Sequence, residues 1–380
     1  MHGLRAAGEV EMKTQIKIIA LVFLCIGMFL RWRTRYYSGF DVDESCIISI
    51  LSGSWGDLLR TLPRTEAGTY LSGDFYLLFP FLKLFGPNKW AFAFPHAVIT
   101  VIGFYFLLRL CRLYFHTLAG YIVALGFWAF NGSLVRYALM ARVYAVLPTL
   151  ALGTLYYMHC LTDHYETMSA RRKTGIALFL LLTAWYHTYG MFIIFVCTLF
   201  FALAKARDKA FIERLPGLLK FLGVVAAVAL PVWFYCFMLG YKNDFTSGAM
   251  VQNTRTFTLF SNPLVDPARF MKNIIGNLVG APLLYPLLLG FPLAMMFKQP
   301  QRRDQMLFFL VMIVLAVEIV FVPSVRSGYW FVQRHFIWAI AFFAFWMGWC
   351  WDAALSRCLG GGGGCFEDRG RPVKPFDRKA

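Results

Sequence analysis

The chain has 380 residues, 59% of them hydrophobic and only 15% charged, with a mean hydropathy of +0.59. That composition excludes a soluble globular enzyme: apolar runs of near-spanning length recur, and both faces of each run are apolar, which argues for helices over a barrel with its alternating polar lumen. The net charge of +17 does not point to nucleic acid, because the basic residues cluster in short loops between runs, where they set topology and meet anionic headgroups.

In chain order, the first run, from about Ile16 to Leu30, has a basic front. It is followed by Arg31, Arg33 and Arg35 rather than a small-residue cleavage site, so it reads as a signal anchor. The residues before Met12 carry no pattern, and Met12-Lys13 is an alternative start to Met1. Spans are expected near 16–34, 90–108, 119–135, 143–161, 174–189, 190–204, 217–240, 274–297, 305–323 and 335–351. This is an all-α polytopic membrane protein of about ten transmembrane helices. With the N-terminus inside, the segments 36–88, 136–142, the turn near His187–Gly190, 241–273 and 324–334 fall outside. Arg171-Arg172-Lys173, the Lys205/Arg207/Lys209 group, Lys298 with Arg302-Arg303, and the tail from Arg357 to Lys379 fall inside.

Arg31, Arg33 and Arg35 break this rule by lying outside. Lipid headgroups are the favoured partners for them, a bound phosphate the other reading. The first external loop, 36–88, is expected to carry two helices along the membrane interface, Glu44–Leu59 and Asp74–Phe85. The first is amphipathic, with Ile47, Ile48, Leu51 and Leu58 near one face. Trp32, Trp330 and Trp338 read as an aromatic belt. Glu318 falls inside a span and must lie near its end, take a proton or pair.

The nine cysteines are scattered, several within apolar runs, without repeated CxxC spacing, so neither a disulfide framework nor a zinc site is indicated. Residues 1–352 are expected to form a single membrane domain and 353–380 a flexible basic cytoplasmic tail, with Gly360–Gly364 as a flexible linker to its basic end.

Four features then occur in order. Asp43-Glu44 is an acidic pair after the first span. Phe75-Tyr76-Leu77-Leu78 leads to Lys83-Leu84-Phe85-Gly86. Arg136-Tyr137 precedes Ala141-Arg142-Val143-Tyr144-Ala145. Trp185-Tyr186-His187-Thr188-Tyr189-Gly190 forms a turn between spans. Together these resemble the GT-C superfamily of membrane glycosyltransferases, in the bacterial branch similar to dolichyl-phosphate-mannose-protein mannosyltransferases and to the aminoarabinose transferase of lipid A. The resemblance covers roughly 16–190, with Gln333-Arg334-His335 a further echo before the last span. Two departures stand out. Met140 replaces the acidic residue before A-R-x-Y, and Ser72-Gly73-Asp74 replaces an H-P-P turn.

The resemblance implies sugar transfer from a polyprenyl-phosphate donor to a glycan, lipid or protein acceptor at the outer face of a bacterial inner membrane. A phosphate leaving group is already a stable anion, so its departure needs cations rather than a general acid. The acceptor hydroxyl needs a base. Asp43 is the candidate, with Asp41 second and Glu44 beside it; single displacement inverts the anomeric centre. Arg142, Arg136 and Arg334 are candidates for the phosphate, since guanidinium offers paired donors. His187, Tyr144 and Tyr189 add hydrogen bonds, and Asp74 is an acceptor-side or auxiliary acid. No cofactor is expected; a carboxylate pair is also of the kind that holds a divalent cation, so metal use stays open. The competing readings are a transporter or lipid flippase, which would show repeats and broken spans, and a non-catalytic relative acting as scaffold, for which Met140 argues.

Overall fold

The computed structural model of this chain describes residues 2–40, 42–61, 73–246, 303–319 and 336–360, with isolated positions between 268 and 294. Among the described residues every regular element is helical. α1 (His2–Tyr37) leads into the short pair α2 (Val42–Leu51) and α3 (Trp55–Thr61), and then α4 (Gly73–Phe85). α5 (Lys89–Tyr114), α6 (Leu118–Phe130), the short α7 (Gly132–Tyr137), α8 (Leu147–His164), α9 (Ala170–Tyr186), α10 (Tyr189–Ala204) and α11 (Lys209–Thr246) follow. α12 starts as Arg303–Phe308 and widens into a π-helical stretch, Phe309–Val314, and α13 is Ile337–Gly360.

Side chains set the helix boundaries. Asn88 accepts from the Trp90 and Ala91 amides to start α5, Thr117 from Gly120 to start α6, and Asn131 from Ser133 and Leu134 to start α7. Gly86, at φ 75°, supplies the left-handed residue that ends α4 and turns the chain into α5. The helix expected over Glu44–Leu59 is two helices: Ser54 and Asp57 cap each other's backbone amides, so Ser52-Gly53-Ser54 becomes a break between α2 and α3. The predicted inward face holds, with Ile47, Leu51 and Leu58 buried against Phe75, Leu78 and Phe79 of α4.

Among the described residues four helices are long and apolar enough to cross a membrane: Glu11–Tyr37, Lys89–Tyr114, Lys209–Tyr235 and Ile337–Ser356. Leu118–Phe130 and Tyr189–Ala204 are apolar but shorter. The chain is thus a helical membrane protein; most of the segment expected near 274–297 lies outside the described residues. α13 is the central helix, with 83% of its apolar window buried, against 17% for α1 and α11, whose exposed Ile18, Leu21, Phe29, Val224 and Phe234 suit a lipid environment. Gly348 lets α13 meet α6 closely, since a Cβ there would lie 2.6 Å from the Gly120 carbonyl. Trp338 is a core residue of α13, not part of a belt, because it stacks inward on Tyr189.

The helices alternate in direction, which gives the bundle two chemically distinct ends. At one end Asp352 of α13 accepts from the His116 and Thr117 amides, Lys205 pairs with Asp163 at 2.8 Å, Arg214 donates to the Thr162 and Asp163 carbonyls, and Arg303 donates to Leu203. Here lie Arg171, Arg172, Lys205 and Arg303, the loop cations of the sequence. At the opposite end Lys89 donates to the Tyr36 carbonyl and Trp233 to the Thr188 carbonyl. α1, α6, α9 and α11 finish at this second end, and α5, α8 and α10 begin there.

Candidate functional site

The second end gathers most of the polar side chains that the bundle buries. Arg35, in the last turn of α1, donates from Nη1 to Glu44 Oε2 at 2.9 Å, and both side chains are at most 2% exposed. Glu44 Oε1 accepts from the Ala141 amide at 2.8 Å. One carboxylate therefore ties the end of the first span to the acidic loop and to the A-R-x-Y turn, 97 residues further along the chain. A buried charge of this kind persists only when paired and hydrogen-bonded, and here both oxygens are engaged.

Asp74 opens α4 and is 1% exposed. Its Oδ1 accepts from the Tyr186 hydroxyl at the end of α9 and lies 3.5 Å from His96 Nε2 of α5. Oδ2 is buried with no hydrogen-bond partner, as is His96 Nδ1. Gly73 permits the approach, since a Cβ there would fall 2.4 Å from the Tyr186 ring. The turn after Tyr186 is equally tight: a Cβ on Gly190 would sit 1.7 Å from the Thr183 carbonyl oxygen, so α10 can start against α9 only with glycine at this position.

In that turn His187 Nδ1 accepts from the Tyr189 amide at 3.2 Å, which leaves the proton of the neutral ring on Nε2. Burial pushes the imidazole down to about 4, with nearby Asp74 opposing the shift and Arg142 adding to it. At neutral pH His187 is uncharged, and it brings hydrogen bonds rather than positive charge to the site. Arg142 is half-buried in extended backbone at the start of the Val143–Ala145 turn, its amide bonded to the Met140 carbonyl at 2.7 Å. Tyr144 is buried near Tyr137, and Tyr189 lies 4.8 Å from the His187 ring, centroid to centroid.

Of the residues singled out from sequence, Glu44, Asp74, Arg142, Tyr144, His187 and Tyr189 lie at this end. Arg136 is exposed on α7 beside Tyr137. Asp41 and Arg334 lie outside the described residues, and for Asp43 only the backbone, in the first turn of α2, is described. His96 was not chosen, Tyr186 was noted only as part of the W-Y-H-T-Y-G match and Arg35 was assigned to headgroups, yet these three make the first contacts of the two buried acids. For His96 a signal was present: a lone imidazole within the apolar run Ala91–Ile99 needs a polar partner.

The headgroup reading of the α1 arginines needs correction. Arg33 is exposed, but Arg31 and Arg35 are 1% and 2% exposed, because residues four apart share one helix face and that face turns inward. Arg31 donates to the Gly27 and Trp128 carbonyls at 2.9 Å and stacks 3.9 Å from the Trp128 ring. It closes the C-terminal end of α6, where a cation is favoured by the helix dipole. Among the described residues no group of three or more His, Cys, Asp or Glu side chains is arranged to hold a metal.

Comparison with protein-family models, with curated proteins and with solved structures finds no match to this chain. The site itself combines a carboxylate held through one oxygen, a neutral imidazole, a half-buried guanidinium and a buried ion pair, at the membrane-helix end opposite the basic loops. That set is suited to binding an anion and orienting a hydroxyl-bearing substrate.

Proposed function

We propose that this chain is an integral-membrane glycosyltransferase that moves a sugar from a polyprenyl-phosphate donor to an acceptor hydroxyl, with inversion. The observation that carries the reading is the convergence of the four separated motifs: the acidic loop bonds to the A-R-x-Y turn through Glu44 and Ala141, and the start of α4 bonds to the W-Y-H-T-Y-G turn through Asp74 and Tyr186. Shared chemistry gives segments so far apart in sequence a reason to meet at one point.

In the reaction the acceptor O–H bond breaks and its proton passes to the Asp43 carboxylate, while the acceptor oxygen bonds to the anomeric carbon. The bond from that carbon to the phosphate oxygen breaks, and its electron pair leaves on the phosphate, which cations stabilise. Arg142 is the first of these cations, with Arg136 and Arg334 as further candidates. Asp41 is the alternative base. Glu44, with both oxygens engaged, holds the loop that carries Asp43, and Asp74 serves the acceptor side.

The gathering of loop cations at the opposite end supports, by the positive-inside rule, an outward-facing site with both termini in the cytoplasm, and the membrane of this reading is a bacterial inner membrane. The test is a lipid and glycan mass comparison between cells with and without the protein. A species differing by one sugar mass, lost on deletion and restored by the intact gene, supports the reading; identical spectra in all glycan and lipid fractions contradict it.

A further inference from the structure

Resting on the donor chemistry just proposed, we propose that Arg31 and Arg35 form the seat for the donor's phosphate, with Glu44 tuning its strength. The two guanidinium groups stand one turn apart on the inward face of α1, where side chains four residues apart lie about 5–6 Å from each other at Cβ. Among the described residues Arg31 has only neutral partners, the carbonyls of Gly27, Trp128 and Ala129 and the face of Trp128. Its Nε is buried with no partner. Arg35 spends one nitrogen on Glu44, and its Nε and Nη2 are likewise buried without partners.

Two buried cations thus stand beside a single carboxylate that pairs with Arg35, and among the described residues three of their nitrogens have no hydrogen-bond partner. Buried N–H groups and uncompensated charge are both unfavourable, and an oxyanion relieves them together. A phosphate fits best: several oxygens in a tetrahedron can accept from two guanidinium planes, whereas one planar carboxylate already occupies Arg35 from one side. Arg31 also borders a small gap of about 10 Å³, shared with Tyr144, Thr100, Trp128, Pro148 and Ile337, so a phosphate ester would have to part these side chains to enter. Arg142 follows directly on Ala141, whose amide binds Glu44, so the seat adjoins the A-R-x-Y turn.

The chemistry recognised is a phosphate ester on an apolar chain, which a lipid-linked donor and an ordinary anionic phospholipid both offer. The full chain in neutral detergent micelles would be titrated with farnesyl phosphate, with inorganic phosphate, and with farnesyl phosphate in competition with phosphatidylglycerol. Farnesyl phosphate should bind, and Arg31→Gln should weaken it by roughly tenfold or more, as expected for losing a charge-assisted donor pair. Arg33→Gln should leave it unchanged.

Because Arg31 also closes α6, Arg31→Gln is paired with Glu44→Gln, which removes the competing negative charge and should tighten binding severalfold. Unchanged affinity in both variants overturns the proposal, even in a protein that transfers sugar. Equal binding of inorganic phosphate overturns the role of the chain, and full displacement by phosphatidylglycerol makes this a headgroup site instead. Conversely, charge-dependent binding of farnesyl phosphate by a protein that modifies no lipid or glycan would keep the seat and remove the transferase reading.

Discussion

The Tyr186 hydroxyl donates to Asp74 Oδ1, joining the last residue of α9 to the first turn of α4 across 112 positions of sequence. Both residues are buried, and His96 is the other polar side chain at that oxygen. Tyr186→Phe should thus remove a donor from a buried acid and lower stability by about 1–3 kcal/mol, the range for leaving a buried polar group without its partner. Thermal unfolding in detergent measures it. Adding Asp74→Asn to Tyr186→Phe should cost less than the sum of the two single changes, because the two residues share one interaction; strict additivity would mean the bond contributes nothing.

Gly190→Ala should abolish folded protein, since the new methyl group would overlap the Thr183 carbonyl. Gly175, in the same helix as Thr183, has open space around its Cβ position, so Gly175→Ala should be neutral or slightly stabilising. Yield of monodisperse protein on size exclusion separates the two. Equal yields would show that the α9–α10 turn tolerates a side chain.

His187 makes stability depend on pH. Its folded-state value is depressed to about 4 from 6.5, so the unfolded chain binds the proton first as pH falls. The stabilisation is fully present above about 6.5, declines between 6.5 and 4, and is gone below that. At about 1.4 kcal/mol per unit the total is on the order of 3 kcal/mol. His187→Asn should flatten the decline of the unfolding midpoint over this window; the same slope in both proteins would contradict a buried neutral ring.

Much of this architecture was legible in the sequence. The apolar runs gave the helices, and the positions of Ile47, Leu51 and Leu58 gave the inward side of the loop helices. Arg31 and Arg35 were not legible in the same way. Their spacing put them on one face, but α1 is apolar all round, so nothing in its pattern said which face meets protein and which meets lipid. Glu44 shows the same limit, since its partners Arg35 and Ala141 are fixed by packing between distant segments rather than by spacing. Helix lengths were a further limit: Asn131 and Ser54 end or start helices through side-chain caps that hydropathy does not register.

Sidedness follows from the two ends of the bundle. In a cysteine-free background, Arg136→Cys should react with an impermeant thiol reagent added outside cells, and Arg171→Cys should not, both positions being exposed in the structure. Labelling of 171 alone would invert the protein and remove the site from the outer face.

The central claim is sugar transfer with Asp43 as base, and the most direct measurement is turnover by purified Asp43→Asn protein alongside its binding of the lipid donor. The amide keeps shape and hydrogen bonding but cannot take the acceptor's proton, so transfer should fall by roughly 10²–10⁴-fold, the usual share of general base catalysis, while donor binding persists. Asp41→Asn, the control for local folding, should be milder. Near-normal turnover in Asp43→Asn would contradict the account, and a collapse confined to Asp41→Asn would move the base two residues upstream.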